Sequence, residues 1–442
     1  MRAGLLLLCG MAVSLPAQQD PRDLLQQLRD RVRQSIDRLP KYMCTQTIDR
    51  VQYEPPNARR PPNCDDGAAP KNLRVSTSDR LRLDVGVTGA GEIYSWAGSQ
   101  RFDDRSLFDL IHEGSISNGV FSSFLRAIFR GDEATFSYNG DHTEDGRTLS
   151  VFGFRVPVER SHYVFSGNGF RVTTAYEGEA YADPQSGDLV RLVVRTSSLS
   201  PETGACDATT TLNYGRVDLG GADFLLPSEA LLEIHNISGT RSNNRTVFSN
   251  CHEFLGESTV SFNPPADAAA SASSQVPAPA ASALPAGLRF NIATTEDIQL
   301  STAAAGDLVP ARLTAAIRGY SKELVAPAGA PVMARLVKLR QFLGPSVSVS
   351  LGLKLESIEI GGVPVPLKAR PNFTLRTIQT TRSGSLTPHI ALGELNDLGD
   401  RDVVTFEFLS MQLKGAIGRG LESGWVIVDP EDQLHIPAGG RR

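Results

Sequence analysis

The chain has 442 residues, with 44 Lys and Arg against 49 Asp and Glu and a formal net charge of −5. That mild acidity, without any long Lys/Arg run, argues against nucleic acid as a partner because nothing is available to neutralise phosphates. A composition 40% hydrophobic and 21% charged is that of a globular protein, and the length predicts two or three domains.

Residues 1–19 read as a secretory signal peptide. Met1-Arg2 gives a short positive start, Leu5–Leu8 and Met11–Leu15 an apolar core broken by Cys9-Gly10, and Pro16-Ala17 a small-residue exit. The apolar run is too short for a membrane span. Cys9 does not read as a lipidated cysteine, since Leu8 before it is not small. The implied compartment is the periplasm or cell envelope, or the extracellular space. Past residue 19 no run reaches about 18 apolar residues, so no transmembrane span is predicted in the mature chain.

Four cysteines then remain, Cys44, Cys64, Cys206 and Cys251, an even set bound for an oxidising compartment. Two disulfides follow, with three connectivities open. The pairing expected is Cys44–Cys64 and Cys206–Cys251, because each bridge then staples one local segment. Each would constrain the unfolded chain by roughly 3–4 kcal/mol. Zinc is the competing use. No Cys-x-x-Cys occurs, and the adjacent Cys251-His252 would face opposite sides of a strand, so no metal or other cofactor is predicted.

The first folded region, residues 20–263, opens with a helix. Asp20 is its N-cap and Pro21 its first residue; Leu24, Leu25, Leu28, Val32, Ile36 and Leu39 recur at helical spacing, and Pro40 ends it. A strand over Thr45–Tyr53 and a polar loop over Pro55–Pro70 follow. Alternating strands are then expected at Arg80–Val85, Glu92–Trp96, Ala134–Tyr138, Thr148–Phe154, His162–Phe165, Phe170–Ala182 and Leu189–Thr196. Four more are expected at Ala208–Val217, Ala230–His235, Arg245–Asn250 and Ser258–Phe262. Asp183–Asp188 and Gly220-Gly221 mark hairpin turns. One helical insert, Ser106–Phe129, interrupts this meander.

Residues 264–285 read PPADAAASASSQVPAPAASALP, almost all Ala, Pro and Ser, and predict an extended linker. Residues 286–442 are β in pattern. Val309, Ala311, Leu313, Ala315 and Ile317 alternate, as do Val347, Val349, Leu351, Leu353 and Leu355. Gly361-Gly362 joins Ile358-x-Ile360 to Val363-x-Val365-x-Leu367 as a hairpin, whose Pro364 and Pro366 place the second strand at an edge. Val404, Phe406 and Phe408, and then Trp425–Val428, give further strands. A small β-barrel or sandwich is expected.

The phrase Tyr176-Glu177-Gly178-Glu179-Ala180-Tyr181-Ala182-Asp183-Pro184-x-x-Gly187-Asp188-Leu189-Val190-Arg191-Leu192 resembles one in the LolA/RseB-like family of periplasmic lipoprotein-sorting and lipid-sensing proteins. The resemblance covers residues from about Tyr42 to Phe262. It implies a mainly β, α+β domain: a curved antiparallel half-barrel with covering helices and an apolar cavity for acyl chains. The cysteines do not map onto that family. More faintly, Leu288-x-Phe290, Gly306-Asp307-x-Val309-x-Ala311 and Pro327-x-Gly329-x-x-Val332-x-Ala334-x-Leu336 resemble the TrbI-like β-barrel domain of type IV secretion scaffolds.

Familiar catalytic patterns are missing. No lysine follows a glycine, so there is no phosphate-binding Gly-Lys-Ser/Thr loop, and none has a serine three residues earlier. Gly114-Ser115-Ile116-Ser117-Asn118-Gly119 has the wrong spacing for a nucleophile elbow. His112-Glu113 and His252-Glu253 supply half a zincin motif, with Ile116 and Gly256 where the second histidine would stand. Asp141, Asp145 and Gly146 mimic a calcium loop, but position twelve is Phe152, so a plain turn is expected. No catalytic residue is assigned.

The feature with functional leverage is the aromatic insert. Phe121, Phe124, Leu125, Ile128 and Phe129 form one apolar stripe, read either as core or as a lid over a hydrophobic groove. In the second reading Phe136, Tyr138, Phe152, Phe154 and Phe165 supply the opposing wall. The sequence thus points to an exported, non-catalytic binding protein for a lipid, acyl chain or lipoprotein segment. An adaptor that engages an envelope protein partner and an uncharacterised hydrolase are the alternatives.

Overall fold

A computed structural model of the chain describes residues 20–55, 64, 73–88, 91–99, 102, 107–111, 113–196, 199–253, 284–344, 347–372, 387–389, 401–409 and 415–429. The expected signal peptide, most of the Pro55–Pro70 loop, His112, the Ser258–Phe262 strand and all of the linker except Leu284 and Pro285 lie outside the described residues.

Helix α1 spans Pro21–Arg38. The Asp20 carboxylate accepts from the Arg22 N–H at 2.8 Å, and Pro21 occupies a position where an amide hydrogen has no intrahelical partner. Leu24, Leu28, Val32 and Ile36 form the buried stripe.

The strands of the first region are β1 (Tyr42–Tyr53), β2 (Val75–Thr88), β3 (Gly91–Trp96), β4 (Thr135–Glu144), β5 (Arg147–Val156), β6 (Val164–Gly167) and β7 (Phe170–Thr173). After them come β8 (Tyr176–Ala182), β9 (Leu189–Thr196), β10 (Ala205–Leu219), β11 (Ala222–Asn236) and β12 (Arg241–Glu253). Antiparallel ladders join them in the order β4-β5-β8-β9-β10-β11-β12-β1-β2-β3, while β6 and β7 form a separate hairpin. Turn chemistry sets the hairpins. Asp145-Gly146 and Gly220-Gly221 have positive φ at both central positions, which matches the twist of the strands they join.

Alternation assigns one face of this curved sheet to the interior. On β1 that face carries Tyr42, Cys44, Gln46, Ile48 and Arg50, all buried. Leu212 of β10, Ala230 of β11 and Phe248 of β12 join it in a single hydrophobic cluster with α1 and the insert. The insert is not the continuous helix expected over Ser106–Phe129. It consists of α2 (Leu107–Leu110), α3 (Ser123–Leu125) and a π-type turn at Arg126–Arg130. Gly114 and Gly119, at φ +78° and +79°, break it in a conformation that disfavours side chains with a Cβ.

The disulfides correct the expected pairing. Cys44 bonds Cys251 and Cys64 bonds Cys206, in place of Cys44–Cys64 and Cys206–Cys251. The reason is register. β1 and β12 are ladder neighbours, and the irregularity between Met43 and Thr45 brings Cys44 beside Cys251, with Cα atoms 4.1 Å apart across a sequence separation of 207. For Cys44 and Cys251, proximity in the sheet and not along the chain chose the partner.

The second region contains β13 (Arg289–Thr294), β14 (Ile298–Gln299), β15 (Leu308–Leu313), β16 (Ile317–Arg318), β17 (Leu324–Ala326), β18 (Pro331–Phe342) and β19 (Ser348–Ile360). It continues with β20 (Val363–Pro366), β21 (Ala369–Pro371), β22 (Thr387–His389), β23 (Val403–Leu409), β24 (Ala416–Ile417) and β25 (Glu422–Ile427). Ladders run β21-β25-β13-β15-β18-β19-β23-β22, and β20 pairs with β19. This sheet curls around its own core of Val309, Leu313, Leu351, Phe406, Phe408 and Trp425. Among the described residues the terminal strands β21 and β22 form no ladder with each other, so the curl is not closed into a barrel.

The two regions meet backbone to backbone. β18 extends β2 through the pairs Arg340↔Asp79, Gln341↔Ser78 and Phe342↔Thr77. Ala305 also accepts from the Arg82 N–H at 2.7 Å and donates to the Arg80 carbonyl at 2.8 Å.

A non-reducing digest read by mass spectrometry is expected to release one linked fragment containing Cys44 and Cys251 and another containing Cys64 and Cys206. Replacing Cys44 and Cys251 together by serine is expected to lower the unfolding free energy by about 3–5 kcal/mol in denaturant titrations.

Candidate functional site

The structure gathers most of the predicted aromatic wall into one place. Phe121, Phe124, Leu125, Ile128, Phe129, Phe152 and Phe154 are buried, and Phe136 packs against them half-buried. Phe121 lies edge-on to Phe248 at 4.7 Å and to Tyr42 at 5.9 Å between ring centroids. Phe124 contacts Tyr163 at 5.5 Å, and Phe129 contacts Phe136 at 5.8 Å. The interior under the insert is therefore filled by the chain's own rings. Two residues fall elsewhere. Tyr138 is exposed, its hydroxyl on Asp141 at 2.7 Å, and Phe165 of β6 packs on a separate small cluster with Leu232 and Ile234.

Among the described residues no ladder ties the insert to the sheet; side chains tie it to its surroundings. The Glu92 carboxylate on β3 accepts from the Gly119 N–H at 2.7 Å, the Phe121 N–H at 3.0 Å and the Tyr94 hydroxyl. Burial raises the Glu92 carboxyl above its ordinary 4.5, and those hydrogen bonds offset part of the rise. Arg33 of α1 holds the Phe129 carbonyl at 2.9 Å, and Arg29 holds that of Gly131 at 3.0 Å.

On the sheet strands that line this interior, three buried donors lack an acceptor among the described residues. The Tyr42 and Tyr214 hydroxyls and the Gln46 side-chain nitrogen are buried and make no hydrogen bond among the described residues. Burial pushes both phenol pKa values far up, so both keep their protons. Such orphans cost about 1–3 kcal/mol each.

Toward the second region the same face opens into a cavity of about 220 Å³. Arg50 lies two residues beyond Ile48 on β1, and Asn244 four residues before Phe248 on β12, so the cavity floor continues the interior face. Ser115 of the insert, the Phe165–Asn168 stretch of the β6–β7 hairpin and Arg340 of β18 form its walls. Beside it stands an ion cluster. Asp79 sits in register between Arg50 and Arg340, taking a bidentate pair from Arg50 at 2.6 and 2.7 Å and Arg340 at 3.3 Å. Glu113 of the insert binds Arg340 at 2.6 Å and Lys338 at 3.0 Å. Arg50 also donates to the Glu113 carbonyl at 2.7 Å.

Sequence reasoning missed this cluster and the orphan donors. One signal was present: Gln46 and Arg50 occupy inward positions of an otherwise apolar alternation, where a polar group has to find a partner. Among the described residues no group of three or more His, Cys, Asp or Glu is placed to hold a metal, and no helix is long and apolar enough to cross a membrane.

No family model and no curated protein matches the chain. Solved structures do. A DUF1329 family protein from Desulfovibrio piger is 12% identical, covering 54% of this chain and 95% of its own, at a TM-score of 0.26. A LolA superfamily protein from Nitrosomonas europaea is 12% identical, covering 52% and 91%, at 0.24. The MucA/MucB complex of Pseudomonas aeruginosa supplies a chain 12% identical over 88% of this one and 93% of its own, at 0.17. At these TM-scores no residue role transfers from any of these structures.

Replacing Glu92 by alanine is expected to cost about 2–3 kcal/mol and to speed amide exchange at Gly119 and Phe121. Its folded pKa is raised, so the folded state holds the proton more tightly than the unfolded chain does. The resulting stabilisation is complete below the ordinary value of 4.5 and is lost as pH rises through the folded value. Denaturant midpoints across that window should fall more for the native chain than for Glu92→Ala.

Proposed function

We propose that this chain is an exported, non-catalytic envelope protein that takes an acylated ligand, a lipid or lipoprotein segment, between the insert and the covered face of the curved sheet. The observation that carries the reading is the set of three orphan donors, Tyr42, Tyr214 and Gln46, in an interior lined mainly by rings and aliphatic side chains. The Glu92 carboxylate there is already committed to the insert and Tyr94. An acyl chain that displaces the insert's rings exchanges one apolar contact for another at small cost. Its ester or amide carbonyls bring the acceptors those donors lack. The insert suits displacement, because short helical turns held by scattered side-chain bonds open at lower free energy than strands in a ladder. Export rests on residues 1–19 and the two disulfides.

The test is titration of the purified full chain with a fluorescent long-chain acyl ester, with native mass spectrometry for stoichiometry. A saturable one-to-one complex is expected. Tyr42→Phe with Tyr214→Phe should weaken it about tenfold, the loss of one to two hydrogen bonds. The same substitutions should leave the unliganded protein as stable or more so, because two unpaired hydroxyls leave the interior. Absence of saturable binding, or unchanged affinity in the double variant, overturns the reading.

A further inference from the structure

The cavity beside the ion cluster has a lining unlike that of the ring-filled interior it adjoins. Its reachable polar groups are amides and hydroxyls: Gln52, Asn168, Asn236, Asn244, Ser166 and Ser242. Asn244 is spent on Ser115, its amide donating to the Ser115 carbonyl at 2.6 Å. Ser166, Asn168 and Ser242 make no side-chain hydrogen bond among the described residues, and Ser166 and Asn168 are exposed. Amides and hydroxyls both donate and accept, as the hydroxyls of a sugar do. Phe165 contributes an apolar ring to the same lining.

The charges at the cavity are already committed. Arg50 spends its guanidinium on both Asp79 oxygens and on the carbonyls of Glu113 and Ser115. Arg340 is divided between Asp79 and Glu113. A phosphate or carboxylate entering here would have to compete for cations that buried carboxylates already hold. At about 220 Å³ the cavity is also below the roughly 300–1,000 Å³ of drug-sized pockets, which suits one ring and not a whole amphiphile.

We infer that this cavity is a subsite for an uncharged sugar ring, carried either by a glycolipid headgroup or by a free saccharide. The glycolipid source rests on the acyl-binding reading above, with the chain under the insert and the sugar at the mouth. The free-saccharide source does not.

The experiment uses the full chain and the variant Asn168→Gly with Ser166→Ala and Ser242→Ala. Asn168 has φ +50°, which glycine adopts freely, and its side chain is exposed, so the backbone of the hairpin is kept. Flotation with phosphatidylcholine vesicles containing glucosyl-diacylglycerol is compared with vesicles containing phosphatidylglycerol. Methyl glucoside and glucose 6-phosphate are titrated by saturation-transfer NMR, and the fluorescent acyl ester is titrated in parallel. Glycolipid vesicles should be retained about tenfold better than phosphatidylglycerol vesicles, an advantage the variant loses while its acyl-ester affinity is unchanged. Equal retention of the two vesicles together with no binding of methyl glucoside, or an unaffected variant, overturns the sugar subsite and leaves acyl binding standing. No acyl-ester binding, with methyl glucoside bound in preference to its phosphate and lost in the variant, keeps the subsite for a free saccharide and overturns the acyl reading. Binding of neither methyl glucoside nor glycolipid overturns the subsite.

Discussion

The architecture turns on Asp79. It lies on β2 with its side chain only 8% exposed, and the ladders place Arg50 on one side of it and Arg340 on the other. A carboxylate so buried is costly unless its partners are fixed and its oxygens are occupied, and here both conditions hold. Arg50 belongs to the curved sheet and balances the Asp79 charge on its own, while Arg340 belongs to the second region and adds its contact only when the two are joined. The cost of separating them is therefore electrostatic as well as a matter of lost backbone bonds.

The same cluster reaches the insert. Glu113 binds Lys338 and Arg340 with its carboxylate, while its carbonyl and that of Ser115 accept from Arg50. Farther along the insert Glu92 holds the Gly119 and Phe121 amides, and two α1 arginines hold carbonyls at its C-terminal end. Between Phe121 and Phe129 the buried contacts of Phe124, Leu125 and Ile128 are with rings and aliphatic chains, which are non-directional and tolerate exchange. A segment clamped at intervals, with a greasy stretch between the clamps, can give up those apolar contacts without losing its place on the protein.

Several elements were legible in order of residues alone because their causes are local. Asp20-Pro21 and a 3.6-residue stripe specify α1, two glycines in sequence specify the β10–β11 turn, and Pro364 and Pro366 confine β20 to pairing with β19 among the described residues. The Ser106–Phe129 helix failed for a reason visible only in retrospect: Gly114 and Gly119 take positive φ, which no apolar spacing reports. Phe165 shows the same limit. It shares the aromatic character of Phe152 and Phe154, yet the β6–β7 hairpin carries it to the cavity and away from their cluster.

By itself the sequence determined the class of each segment: strands with one buried face, tight glycine turns, an N-terminal helix and an aromatic insert. These follow from propensity and periodicity, which act over a few residues. Only the tertiary structure decided which cysteines bond, that β18 extends β2, and which polar side chains are left in the interior without partners. Each of those depends on residues distant in the chain, Cys44 with Cys251 and Asp79 with Arg340 among them, brought into register by how the strands pair. Spacing along the chain carries no record of that register, because it is set when the whole sheet curves around one core.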